Sequence, residues 1–119
     1  MLLERDIKLK TYELMVALKP LLPDDLRKSI HKEFMELMSK DKGEVLDVDV
    51  WGKRYLSYKI EGHNEGYYIV YNFKHTPKNI NEMKRLLQLK QEILRFMIIE
   101  VDNPALVGKG IKKKEIGMY

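Results

Sequence analysis

"GEVLDVDVWGKRYLSYKIEGHNEGYYIVYNF", residues 43 to 73, decides the fold of this chain of 119 residues. Leu46, Val48 and Val50 fall on one face of a period-two pattern, with Asp47 and Asp49 between them, so a strand is predicted. Gly52 interrupts the pattern, which predicts a bulge or bend and not the end of the strand. "YLSYKI" (55 to 60) resumes it. "EGHNEG" (61 to 66) supplies the turn, with Gly62 and Gly66 free to take positive φ. "YYIVYNF" (67 to 73) is almost wholly apolar or aromatic, as a central strand covered on both faces would be.

Working outward, "TYELMVALK" (11 to 19) alternates again, with Tyr12, Leu14, Val16 and Leu18 on one face. Pro20 and Pro23 stop it. Pro23 suits the first position of a helix, and Asp24 and Asp25 suit the positive end of its dipole. Leu26, Ile30, Phe34, Leu37 and Met38 follow at helical spacing, and Gly43 is expected to end the helix in the left-handed conformation. On the other side, Thr76-Pro77 predicts a capped helix with an apolar stripe at Ile80, Met83 and Leu87. "LRFMIIEV" (94 to 101) is the last strand.

The order is strand, helix, strand, strand, helix, strand. Two helices on one face of a four-stranded antiparallel sheet make an α+β domain of the ferredoxin-like βαββαβ class. Its crossovers place strands one and three at the centre and two and four at the edges. The chain divides into an N-terminal extension (1–10), this domain (11–102) and a basic C-terminal tail (103–119), where "NPALVGKGIKKKEIGMY" loses all periodicity. The tail holds Lys109, Lys112, Lys113 and Lys114 against Glu115 alone, so most of the net charge of +4 lies there. A basic tail suits an acidic partner such as nucleic acid.

Composition narrows the chemistry. The absence of cysteine excludes a disulfide framework, a zinc ribbon and a thiol nucleophile. No apolar run approaches the roughly 20 residues of a membrane span. His31, His63 and His75 lack partners at metal-ligand spacing, and His31 is expected to be solvated. Asp47 and Asp49 share a face but are better suited to keeping an edge strand soluble than to acid–base work. The same fold hosts acylphosphatases, which need a phosphate-cradling loop after strand one. Here that loop is "KPLLPDD", whose acids repel phosphate. The expectation is therefore no enzyme, no cofactor, no metal and no small-molecule substrate.

Binding is better supported. The sheet face away from the helices is expected to be open and to carry Glu13 and Met15 on strand one. Strand two adds Asp47, Asp49 and Trp51. Strand three adds Tyr68, Val70, Asn72 and Lys74, and strand four Arg95, Met97 and Ile99. Such a face is apolar enough to seek a partner protein or to stack RNA bases. An RNA-recognition motif is the rival reading, but "EGYYIVYNF" has Glu65 in place of the basic residue, Tyr68 at the small position and Ile69 in place of the second aromatic. A metabolite-binding regulatory domain of the same fold is the alternative from another class.

"TYELMVALKP", the hairpin quoted above and "EILRFMIIEVD" together resemble the ribosomal protein S six family of the bacterial small subunit, over about Thr11 to Asp102. The hairpin is the most specific element: Trp51-Gly52, the basic pair Lys53-Arg54, then Leu56, Tyr58, Ile60 and Gly66-Tyr67. The resemblance implies a structural RNA-binding protein of the ribosome, bacterial or organellar, working in the cytoplasm or organelle without a membrane. It implies binding to small-subunit ribosomal RNA in the central domain, the platform, as a heterodimer with ribosomal protein S eighteen. The candidate RNA contacts are Lys10, Tyr12, Lys53, Arg54, His63, Asn64 and Arg95. The candidate partner-protein contacts are Trp51, Tyr55, Leu106, Val107 and Ile111. Leu56, Tyr58 and Ile60 are expected to pin the hairpin to the core, and Trp51 and Tyr55 to offer flat surfaces to a partner.

The tail mixes lysines with Leu106, Val107, Ile111, Ile116, Met118 and Tyr119. That mixture suits a segment lying along a partner, apolar side chains inward and lysines toward RNA. Ordering it costs roughly 1–2 kcal/mol per residue in backbone entropy, so it is expected to order only on assembly. Deleting residues 104–119 should leave the midpoint of thermal unfolding nearly unchanged while weakening heterodimer formation in a pull-down titration. A large drop in the midpoint would instead assign the tail to the domain's own core.

Overall fold

Alternating apolar residues and two amphipathic stripes, the second of them capped, produce six elements in the computed structural model, which describes residues 9–101. They are β1 (Lys10–Leu18), α1 (Asp24–Ser39), β2 (Glu44–Ile60), β3 (His63–His75), α2 (Pro77–Gln88) and β4 (Ile93–Glu100). The strands form one antiparallel sheet in the order β2-β3-β1-β4, so the ferredoxin-like expectation is met and β1 and β3 are central. The expectations for the two ends, including Leu106, Val107 and Ile111, lie outside the described residues.

Between the helices and the sheet sits the main core. Ile30, Phe34 and Met38 of α1 and Ile80, Met83 and Leu87 of α2 pack on Leu14, Val16, Ile69, Tyr71 and Phe73. Thr76 caps α2 by accepting from the Asn79 amide, with Pro77 behind it, as the sequence predicts. Pro23 is one residue earlier than expected. It is extended, precedes α1, and its carbonyl accepts the Arg27 amide at 3.0 Å.

Gly43 serves a different purpose from the one its position suggests. The positive φ values after α1 belong to Asp41 and Lys42. A Cβ on Gly43 would lie 2.1 Å from the carbonyl oxygen of Met38, so glycine is needed for close backbone approach. The hairpin turn is also tighter than expected. It consists of Glu61 and Gly62 alone, both at positive φ, which matches the twist of the strands it joins. Gly66 lies inside β3, buried opposite Arg54.

Two bulges shape β2. The register shifts between Val45 and Asp47 and again between Val50 and Gly52, leaving Leu46 and Trp51 as the extra residues. The first makes Val45 the residue opposite Phe73, and Leu46, expected inward, is exposed. The second, with Gly52 at φ 73°, bends the strand. Beyond it Leu56 joins Met97 and Ile99 over a second buried cluster of Met15, Ala17, Trp51, Tyr68 and Val70. Tyr58 of β2 accepts a hydrogen bond from Arg95 of β4 at 2.7 Å, although these strands form opposite edges of the sheet. The face expected to be open is thus largely closed by the bent hairpin, with Tyr58 spanning its surface and not pinned in the core.

One consequence is a buried carboxyl. Glu13 stands opposite Asn72, and both are almost fully buried. Glu13 Oε2 and the Asn72 amide atoms lack a hydrogen bond of normal geometry. Burial raises the Glu13 pKa above its ordinary 4.5, and the nearby Asn72 amide offsets this only in part. The folded state therefore holds this proton more tightly than the unfolded chain, and stability falls as pH rises above 4.5 toward the folded value. Glu13→Gln should remove that loss. Urea unfolding at pH 4 and pH 7 should show the variant gaining on the wild type at the higher pH; an equal difference at both pH values would contradict this. Separately, Gly43→Ala should cost about 1–3 kcal/mol in the same assay, because the main chain must move to admit the methyl group.

Candidate nucleic-acid interface

The bulge at Trp51 decides where the hairpin's basic residues point. Past it, Lys53 pairs with Tyr67 and Arg54 with Gly66. Directly opposed residues share a face. Tyr67 packs toward the helix-side core, so Lys53 lies on the helix side and Arg54 on the other. Both are exposed, and the Arg54 guanidinium donates to the Lys53 carbonyl at 2.8 Å, which holds it along the strand. Tyr55 is 77% exposed beside them. Asn64 is exposed near the hairpin tip, and His63, half-buried, pairs with Ile60 across the turn. Lys53, Arg54, Tyr55, His63 and Asn64 therefore form one projecting arm with two cations and an open aromatic ring.

The other expected contacts are placed differently. Tyr12 is buried in the main core with its ring 5.9 Å from Phe73, so its side chain is a packing element. Its phenol is shifted up by burial first and by nearby Glu100 second, with Lys10 opposing. Lys10 pairs with Glu100 at 3.1 Å. Arg95 is held by Tyr58, its guanidinium carbon 5.9 Å from the Tyr58 ring centre, on the far side of the sheet from Lys53. Trp51 is the clearest correction. It is buried in the second cluster, and its indole donates to Asp49 Oδ2 at 2.5 Å, so it closes the sheet face and offers no flat surface. The same burial argues against an RNA-recognition motif. Tyr68, at the centre of the face, is fully buried and has no ring surface on which a base could stack.

Two histidines have structural partners that spacing in the sequence did not reveal. His75 is buried between the helices' ends: its Nδ1 accepts from the Thr76 amide at 3.0 Å, so Nε2–H donates to the Leu37 carbonyl at 3.0 Å. His31, expected in solvent, is half-buried with Nδ1 2.7 Å from the Tyr71 hydroxyl. Neither lies in a group that could hold a metal; among the described residues there is no such group. Sequence reasoning also missed Arg27, whose guanidinium sits 4.4 Å over the Tyr67 ring while pairing with Asp24. Its helical position beside Lys28 and His31 was visible, but which strand it crossed was not.

The family model for Ribosomal protein S6 matches residues 11–100. "Small ribosomal subunit protein bS6" of Caldanaerobacter subterraneus is 36% identical over 95 residues, covering 80% of this chain and all of the relative. The proteins of that name from Carboxydothermus hydrogenoformans and Mycobacterium tuberculosis are each 37% identical over 94 residues, 79% of this chain and 98% of the relative. The crystal structure of 30S ribosomal protein S6 from Thermotoga maritima superposes with a TM-score of 0.74 at 26% identity, over 79% of this chain and 89% of that one. The arm, the bent sheet and the two helices all lie within the matched span, and the chain belongs to the ribosomal protein S6 family of the small ribosomal subunit.

Proposed function

We propose that this protein is a structural constituent of the small ribosomal subunit that binds ribosomal RNA of the central domain, in the platform, together with ribosomal protein S eighteen. The observation that carries this reading is the projecting arm. Lys53 and Arg54 are exposed, lie on opposite faces of a strand and immediately precede the open ring of Tyr55. Cations so placed can meet phosphates on two sides, and an exposed ring can stack on an unpaired base. The guanidinium adds forked hydrogen bonding that an ammonium lacks. Membership of a small-subunit protein family supports RNA as the polyanion.

No catalytic role is assigned. The buried titratable side chains Glu13, Tyr68, Tyr71 and His75 lie in the packed interior. Thermodynamically Lys53, Arg54 and Tyr55 can work without supporting the core, because their side chains are exposed, whereas Leu56 beyond them packs on the second cluster.

The complex of this chain with ribosomal protein S eighteen should bind a transcript of the small-subunit central domain. Lys53→Ala/Arg54→Ala should weaken that binding without moving the thermal midpoint, since exposed substitutions change stability by only about 0.5 kcal/mol or less. The log–log salt slope should shrink by roughly one for each phosphate deprived of its cation. Unchanged affinity and slope would confine these residues to solubility, and a wild-type complex that ignores the transcript would overturn the proposal.

A further inference from the structure

The cleft beside the arm is a second surface with its own chemistry. It has a volume of about 330 Å³ and lies between the N-terminal half of α1 and the β2–β3 hairpin. Asp24, Arg27, Lys28 and His31 line one side, the Asp24 carboxylate being paired with Arg27; Val50, Tyr67 and Ile69 line the other. Val50 is 55% exposed although it belongs to the helix-facing row with Ile69 and Val16, because α1 stops short of covering β2 there.

Each wall has a feature that a folded core does not require. The Arg27 guanidinium lies 4.4 Å over the Tyr67 ring and is held at its other end by Asp24, so a planar cation is fixed in one orientation at the cleft. Its side chain keeps 26% of its exposure. His31 is oriented as well. Tyr71 is fully buried, burial raises its pKa so that it stays a phenol, and its hydroxyl has His31 Nδ1 2.7 Å away. The phenol proton is satisfied when Nδ1 accepts it, which leaves Nε2–H as a donor on the other edge of the ring. Among the described residues neither Lys28 nor Lys53 pairs with a carboxylate, whereas Lys10 and Lys90 do. The bulge places Lys53 opposite Tyr67 on this same side, so the cleft is continuous with the arm.

We propose that this cleft is a second RNA-contact site, taking one nucleotide of a single strand whose base extends the Arg27–Tyr67 stack over Val50 and whose phosphate lies toward Lys28, His31 and Lys53. This rests on the RNA-binding reading above and extends it from the hairpin to α1. A guanidinium plane, a ring and an apolar floor fit a base, and unpaired ammonium groups with an oriented imidazole N–H fit a phosphate. An acidic peptide would use the cations but not the stacked shelf, so RNA is the occupant the geometry favours.

The test uses the same complex and central-domain transcript, with 4-thiouridine incorporated for crosslinking. Lys28→Glu should lower affinity about fivefold or more and reduce the salt slope, because the charge facing the phosphate is reversed in sign. Lys84→Glu, an exposed site on α2 with the same charge change, should lower it about twofold or less. Crosslinked peptides should include residues 24–31 or Tyr67. Equal effects of Lys28→Glu and Lys84→Glu, with crosslinks confined to the arm, would overturn the cleft while leaving the arm's role standing. Benzoylphenylalanine placed at Lys28, if it crosslinked to the partner protein and not to the transcript, would reassign the cleft to protein docking and overturn it too. A wild-type complex that does not bind the transcript would remove both readings together.

Discussion

The single extra residue at Trp51 governs most of what this protein presents to its surroundings. Gly52, at φ 73°, lets β2 accommodate it without strain, since a positive φ of this kind costs other residues about 1–2 kcal/mol. The bulge does two things at once. It turns the strand so that its distal half lies over the second sheet face, where Leu56 packs and Tyr58 meets Arg95. It also exchanges the faces of the next two residues, sending Lys53 toward α1 and Arg54 away from it. A regular strand would have left Met15, Ala17, Tyr68 and Val70 bare and reversed the two cations.

Closing the second face makes the sheet a three-layer object in miniature: helices, sheet, and the returning edge of the sheet itself. The price is polar groups under cover. Glu13, Asn72 and Tyr68 keep atoms without ordinary partners there, and burial raises the pKa of both Glu13 and Tyr68. For Tyr68 the Arg95 cation partly opposes that shift. The helix side is different. His75 joins the carbonyl of Leu37 to the start of α2, and His31 satisfies Tyr71, so the buried polar groups on that side have partners.

These two treatments of buried polarity fit the division of labour proposed for the molecule. The helix side is a well-bonded scaffold that carries the arm and the Arg27–Tyr67 shelf on its margin. Nothing in the arm past Gly52 is needed to fill the main core, so Lys53, Arg54 and Tyr55 are available for the RNA contact proposed above.

Period-two and helical patterns in the sequence were enough to establish the six elements, their order and the central positions of β1 and β3, because each pattern depends only on which face of a local element must avoid water. The capped start of α2, the bend at Gly52 and the family resemblance were readable for the same reason. The arm's Lys53, Arg54 and Tyr55 could be named from their position in the hairpin. What tertiary structure alone decided was everything that depends on register between distant strands. Leu46 left the core because an extra residue was inserted there; Tyr12 and Trp51 became packing residues because opposing strands covered them; Gly43 was required by the carbonyl of Met38 and not by its own φ. His31 and Arg27 acquired partners on β3 that lie about forty positions away in the chain, at Tyr71 and Tyr67. A local pattern states which residues leave water, whereas the identity of what they meet is set by how the strands align, and one inserted residue changes that alignment for every position beyond it.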